Sequence, residues 1–229
     1  MESFGPQMRA LVVGSSGGLG SALVQELSKR GVRVTQLSRS SDPTFDLCDE
    51  VSILEATNRL TEKGPFDLIF DATGTLEIDG VGPEKSLSAL DPAIMARSYM
   101  INAVGPALLL KHFVDLLPRS GRCAFATLSA RVGSIGDNRL GGWYSYRAST
   151  AARNQVMHSA AVEVARKRPE AVILCLHPGT VATRLTSGYA RGHTHPPEEA
   201  ARRLLDVIDA SGPDRSGGFF AYDGSEIVW

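Results

Sequence analysis

The chain has 229 residues, 43% hydrophobic and 21% charged, with a net charge of −1, so one domain spanning 1–229 can bury a large core, and neither a basic stripe for nucleic acid nor a polybasic membrane anchor is present. Cys48, Cys123 and Cys175 are too few and too far apart for a disulfide framework or zinc, and His158, His193 and His195 lack partners at metal spacing, so no metal is expected. The first eight residues have no signal-peptide character and no apolar run approaches the roughly 20 residues of a membrane span, which leaves the cytoplasm as the expected compartment.

The first element is a strand over residues 10–13, followed by Gly14-Ser15-Ser16-Gly17-Gly18-Leu19-Gly20 and a helix over 19–30. A strand, several glycines and then a helix bring backbone N–H groups and a helix N-terminus up to a phosphate. One glycine permits the reversal, one lets the backbone approach the pyrophosphate, and one lets the helix pack on the sheet. Gly14, Ser15, Ser16, Gly18, Leu19 and Gly20 are therefore candidate cofactor-binding residues. Leu19, Leu23, Val24 and Leu27 recur at helical spacing, and Gly31 stops the helix.

A second strand, 32–37, runs into Ser38 and Arg39. An acid there would accept from a free ribose 2′-OH, whereas an arginine pairs with a 2′-phosphate, so NADP is expected over NAD. Asp46 and Leu47 follow at the adenine end. Asp46 can accept from the adenine amino group, and Asp49 can cap the next helix, whose apolar positions include Val51, Leu54 and Leu60. A third strand, 66–70, ends in Asp71-Ala72-Thr73-Gly74, a second small-residue turn in which Ala72, Thr73 and Gly74 should line the cofactor.

Residues 75–90 read as a loop. A long helix over 91–117 should kink near Gly105-Pro106, because proline removes an N–H. Then come a strand over 121–128, a turn with Ser129, Ala130 and Arg131, a helix over about 143–168, a strand over 171–176 closed by His177-Pro178-Gly179, a segment 180–197, a helix from 198 and a last strand, 217–222. Strands alternating with helices, with glycine turns at strand ends, predict an α/β Rossmann-type doubly wound parallel sheet in three layers, its ligand at the carboxyl ends.

Gly14-x3-Gly18-x-Gly20, Asn102 in the long helix, Tyr146-Arg147-Ala148-Ser149 and Pro178-Gly179-Thr180-Val181-Ala182-Thr183 together resemble the short-chain dehydrogenase/reductase family over essentially the whole chain. The stretch 137–147, the run 176–181 and the aromatic ending from Ser216 to Trp229 look most like its C-factor group. The resemblance implies an NADP(H)-dependent oxidoreductase reducing a carbonyl to an alcohol, or the reverse. Its site would consist of an Asn that supports a relay water, a Ser that hydrogen-bonds the carbonyl, a Tyr that moves the proton, and a Lys that holds the nicotinamide ribose and lowers the phenol's pKa. It also implies that Pro178, Gly179, Thr180, Val181 and Thr183 meet the nicotinamide amide and phosphates. Asn102 and Tyr146 match. The Lys position holds Thr150 and the Ser position Ala130, with Ser129 adjacent.

Thr150 can hydrogen-bond a ribose but supplies no charge, so Tyr146 should stay protonated, which suits reduction better than oxidation. Arg153, seven residues after Tyr146 on nearly the same helical face, is a conceivable surrogate cation, and Arg131 a more remote one. Restoring the cation with Thr150→Lys is expected to raise kcat in a direction that needs phenolate. The catalytic set read from the sequence is thus Tyr146, Asn102, Ser129 and Thr150. The competing reading is a nucleotide-binding protein that has lost turnover and serves a regulatory or signalling role. A small carbonyl or alcohol substrate and a homo-oligomer are expected partners.

Overall fold

Segments in which nearly every residue is apolar have no solvated face to offer, and here they become strands covered by helices on both sides. The computed structural model describes residues 5–41, 43–189, 192 and 194–229. Among these residues, β1 (Arg9–Val13), β2 (Arg33–Leu37), β3 (Leu68–Asp71), β4 (Cys123–Leu128), β5 (Ala171–His177) and β6 (Phe219–Ala221) form one parallel sheet. Its order is β2-β1-β3-β4-β5-β6. The edge strand β2 is the most polar, with Arg33, Thr35 and Gln36 only partly covered or exposed.

Alternate residues of each strand feed two cores. Val12 and Phe70 pack with Leu23 and Leu27 of α1 (Gly18–Lys29) and with Leu204 and Leu205 of α6 (Pro197–Asp209). On the other face Leu11, Ile69 and Phe125 pack with α2 (Glu50–Thr61), α4 (Gly105–Phe113) and α5 (Tyr144–Ala165). This is the Rossmann-type, three-layer α/β arrangement. The chain leaves β1 for β2 on one side and returns to β3 on the other, so a crevice opens between the carboxyl ends of β1 and β3.

Three local expectations are corrected. On α2 the inward face is Ile53, Ala56 and Leu60, spaced i, i+3, i+7, whereas Val51 and Leu54 are 63% and 46% exposed and fall off that stripe; Asp49 caps the helix. The long helix is not simply kinked: α3 (Pro92–Tyr99) passes through a π-helical turn, Met100–Val104, into α4. Finally, the continuous helical run Pro92–Leu116 has 25 residues and a mean hydropathy of 1.3, long and apolar enough by those two measures to cross a membrane. It is apolar because Leu109, Leu110 and Phe113 are core residues under the sheet.

Candidate active site

The glycine turn is shaped by close backbone approaches. Gly14 has φ +79°, and a Cβ there would lie 3.0 Å from both the carbonyl carbon and the oxygen of Ala72. Its N–H donates to Leu37 O at 2.8 Å, which ties the turn to the end of β2. A Cβ on Gly20 would stand 2.2 Å from Gly14 O, so only glycine lets α1 rise directly out of the turn. No side chain caps α1. Its first N–H groups have no intrahelical acceptor, and with the helix dipole they suit an anion. Thr183 lies against Gly18, 2.9 Å from the position of a Cβ there, so the segment after β5 forms the far wall of the turn. Ala72, Thr73 and Gly74 line the near wall.

At the end of β2 Ser38 is buried, its N–H bonded to Ser41 and its hydroxyl 3.0 Å from that of Ser40. Arg39 is exposed beside it and makes no hydrogen bond or ion pair among the described residues. A cation with no partner among the described residues, beside a small hydroxyl at the end of β2, fits a 2′-phosphate. Asp49 accepts from Val51 N at 3.0 Å as the cap of α2, while Asp46 is exposed and accepts from Cys48 N at 2.8 Å. Leu47 is buried and packs against Gly105 at the start of α4.

The other end of the crevice is built on α5 and the π-helical turn. Asn102 is 2% exposed, accepts from Thr75 N at 2.8 Å and donates to Thr75 O at 2.9 Å, pinning the chain that leaves β3. Its amide also reaches the hydroxyls of Ser98 and Ser149, which join α3 to α5. Tyr146 sits beside this seam, in a narrow cleft lined by Leu76, Ile78, Glu84, Ile94 and Ser98. Burial raises its phenol pKa and the charge of Arg153 works against that rise, so the phenol is neutral near pH 7.

Two residues read from the sequence as catalytic have their hydroxyl protons committed elsewhere. Thr150 donates to Tyr146 O at 2.7 Å, bonded back onto its own helix, and its methyl packs on Gly133. Ser129 donates to Asn154 Oδ1 at 2.6 Å. On an extended segment its side chain and that of Ala130 take opposite faces, and the one that turns away carries the hydroxyl. Arg131 pairs with Asp137 at 3.1 Å and is half exposed. Arg153, by contrast, is 4% exposed and reaches Asn102 O at 2.6 Å, Thr73 O at 3.2 Å and Leu128 O.

Sequence reading missed Glu84. Its carboxylate accepts from the N–H of Ser145 at 3.1 Å and from the Ser145 hydroxyl, capping α5 from a loop 61 residues away. Burial pushes that carboxyl up, but the Ser145 hydroxyl and nearby backbone N–H groups outweigh it and hold it below its ordinary value. Above Tyr146, Trp143 meets the rings of Tyr146 and Tyr189 edge-on at 6.2 and 5.7 Å, and Tyr189 donates to Glu77 at 2.7 Å. His193 lies outside the described residues. His195 bonds the backbone of Thr180 and Ala182, meets the Tyr222 ring at a tilt of 57° and lies 3.8 Å from Glu199, so it shapes the wall that includes Pro178, Gly179 and Val181.

With a glycine turn opening into an uncapped helix and a half-buried phenol at one edge of a parallel sheet, comparison with known proteins decides the lineage. The family model for short chain dehydrogenase matches residues 8–193. The chain belongs to that family. Within it, this short-chain dehydrogenase is 33% identical over 232 residues to a 1-hydroxy-2-glutathionyl-2-methyl-3-butene dehydrogenase of a Rhodococcus strain, covering 96% of this chain and 98% of the relative. It is 36% identical over 175 residues to the C-signal protein of Myxococcus xanthus, covering 76% and 98% respectively. A short-chain dehydrogenase/reductase from Burkholderia multivorans, solved with bound NADP, superposes with a TM-score of 0.80 at 25% identity, covering 97% of this chain and 99% of that one. The NADPH-bound carbonyl reductase from chicken fatty liver shares the fold, with a TM-score of 0.84 at 20% identity and both chains fully covered.

Proposed function

We propose that this oxidoreductase uses NADP(H) to reduce the carbonyl group of a small molecule to an alcohol, with Tyr146 as the proton donor. The observation that carries this reading is the placement of the uncapped α1 N-terminus and the neutral phenol of Tyr146 at the same carboxyl edge of the sheet. NADPH, when bound, supplies the hydride. Gly14, Ser15, Ser16, Gly18, Leu19 and Gly20 would hold its pyrophosphate, and Ser38 and Arg39 its 2′-phosphate. Asp46 would stand at the adenine, and Thr180 and Thr183 would stand across the crevice.

Tyr146 gives its proton to the substrate oxygen as the carbonyl carbon gains the hydride, leaving an alcohol and a phenolate that solvent reprotonates. Asn102 is a positioning residue, because its side chain is spent on Thr75 and the α3–α5 seam. Leu76, Ile78 and Ile94 make the wall beside the phenol apolar, which excludes water and favours an apolar group flanking the carbonyl.

A reading as a binding protein without turnover is favoured by Ala130, which leaves the carbonyl without the hydroxyl found in the family's reductases. Titration with NADPH and NADH, followed by tryptophan quenching through Trp143, tests the cofactor. Micromolar NADPH binding, at least about tenfold tighter than NADH and lost selectively in Arg39→Glu, supports the reading. Equal binding of both removes the 2′-phosphate assignment. Carbonyl turnover that disappears in Tyr146→Phe separates the enzyme from the binding protein.

A further inference from the structure

Arg153 is buried in a place where a cation is costly. Its side chain is 4% exposed and forms no ion pair among the described residues. Asp71, the nearby buried carboxylate on β3, has its oxygens taken by Thr73 and Thr127. Cys175 on β5 is pushed up to about 12 by burial and stays a neutral thiol. Glu84 is occupied by Ser145, Arg147 on α5 holds the carbonyls of Gly141, Gly142 and Val132, and His177 at the end of β5 is neutral, its pKa lowered to about 4. No carboxylate among the described residues therefore pairs with the guanidinium at the carboxyl edge of the sheet.

Backbone carbonyls alone hold it there. Nε donates to Asn102 O, and Nη1 donates to Thr73 O and Leu128 O. Asn102 O is available because residue 106 is a proline: the N–H that would bond this carbonyl in an α-helix does not exist. Nη2 donates to none of the described residues. It lies beside Gly74, 3.5 Å from where a Cβ would stand, so the glycine leaves that corner of the guanidinium uncovered toward the cofactor crevice.

Resting on the reading of the site as a dinucleotide-dependent reductase, we propose that Arg153 is its cation. From the turn of α5 that follows Thr150, it does what a lysine does at that position in the family's other reductases. Nη2 donates to the hydroxyls of the nicotinamide ribose, and the charge stabilises the Tyr146 oxygen as its proton leaves. Thr150 is free to be a small packing residue because the charge arrives from Arg153, whose side chain leans back toward the helix N-terminus.

The test uses wild type, Arg153→Met, Arg153→Lys and the double variant Thr150→Lys with Arg153→Leu. Two readouts are taken: the Cζ resonance of labelled Tyr146 against pH in nucleotide-free protein, assigned with Tyr146→Phe, and the NADPH dissociation constant. In Arg153→Met the phenol should titrate about one unit higher, an about tenfold loss of phenolate at fixed pH, and NADPH should bind about tenfold more weakly. The double variant should recover both. Should Arg153→Met fail to fold, Arg153→Lys, which keeps the charge and loses the fork, should retain the Tyr146 titration and weaken NADPH. An unmoved Tyr146 titration in any folded variant lacking the charge overturns the proposal, as does a folded double variant without recovery. If wild type binds neither NADPH nor NADH, the ribose contact falls with the cofactor reading, and the nucleotide-free titration alone decides whether Arg153 acts on Tyr146.

Discussion

Single atoms decide the two most local features of the crevice. At Gly14 a methyl group would meet the Ala72 backbone at 3.0 Å in a left-handed conformation, which costs about 1–2 kcal/mol for an L-residue before any displacement. Gly14→Ala should therefore lower Tm by roughly 2–8 °C for a chain of this size and weaken NADPH binding. A melting curve that does not move would show that the turn is not pressed against β3. Thr150 illustrates the opposite case, a position where the sequence suggests a gain and the structure a loss. Thr150→Lys alone sets an ammonium beside the buried Arg153 guanidinium and against Gly133. Like charges in a shared buried site repel, so the single variant should melt lower than wild type with no gain in kcat. A rise in kcat with unchanged Tm would mean that Arg153 does not occupy the space assigned to it.

At the scale of elements, α5 carries Tyr146 but cannot start itself. Gly141, Gly142 and Trp143 all take left-handed conformations, at φ +63°, +62° and +52°, and Trp143 offers no capping side chain. Glu84 supplies the cap instead, adding a negative charge at the positive end of the helix. Glu84→Gln keeps the shape and removes the charge, and it should cost about 1–2 kcal/mol, read as a lower Tm at pH 7. Because the folded carboxyl lies below its ordinary value of 4.5, its contribution is complete above that value and disappears as pH falls through the folded one. The Gln variant should thus differ from wild type at neutral pH and converge with it in acid, and parallel curves would refute the cap. Strands and helices of this chain were legible because periodicity and glycine punctuation are local signals. The cap was not, because Glu84 and Ser145 are 61 residues apart and nothing in either neighbourhood points to the other. The π-helical turn stood between these cases: Pro106 announced an irregularity near the right place without giving its form.

Across the whole molecule, the glycine turn and the place of Arg39 at the end of β2 were legible because they follow directly from strands that the sequence itself marks, while for Arg153 the sequence offered its helical face and not its partners. Seven residues of helix place Arg153 near Tyr146, but the three carbonyls that turn it inward belong to the turn after β3, to β4 and to the π-helical turn. Only the assembled sheet brings them together. The same assembly predicts how the protein responds to acid. His177 closes β5 beneath the segment that forms the far wall of the crevice, its Nδ1 without a hydrogen-bond partner among the described residues. Burial, with help from the charge of Arg131 and against that of Asp223, lowers its pKa from 6.5 to about 4. The folded state therefore favours neutral imidazole, and the unfolded chain takes up the proton first. Stability from this residue is complete above pH 6.5 and declines as pH falls toward 4, a window above the one in which Glu84 loses its charge. Wild type should lose Tm between about pH 7.5 and pH 5, and His177→Asn should show a flatter profile over that interval. Equal slopes for the two proteins would place the acid sensitivity elsewhere, and a wild-type profile that stays flat until the carboxylates titrate would mean that His177 is solvated in the folded protein.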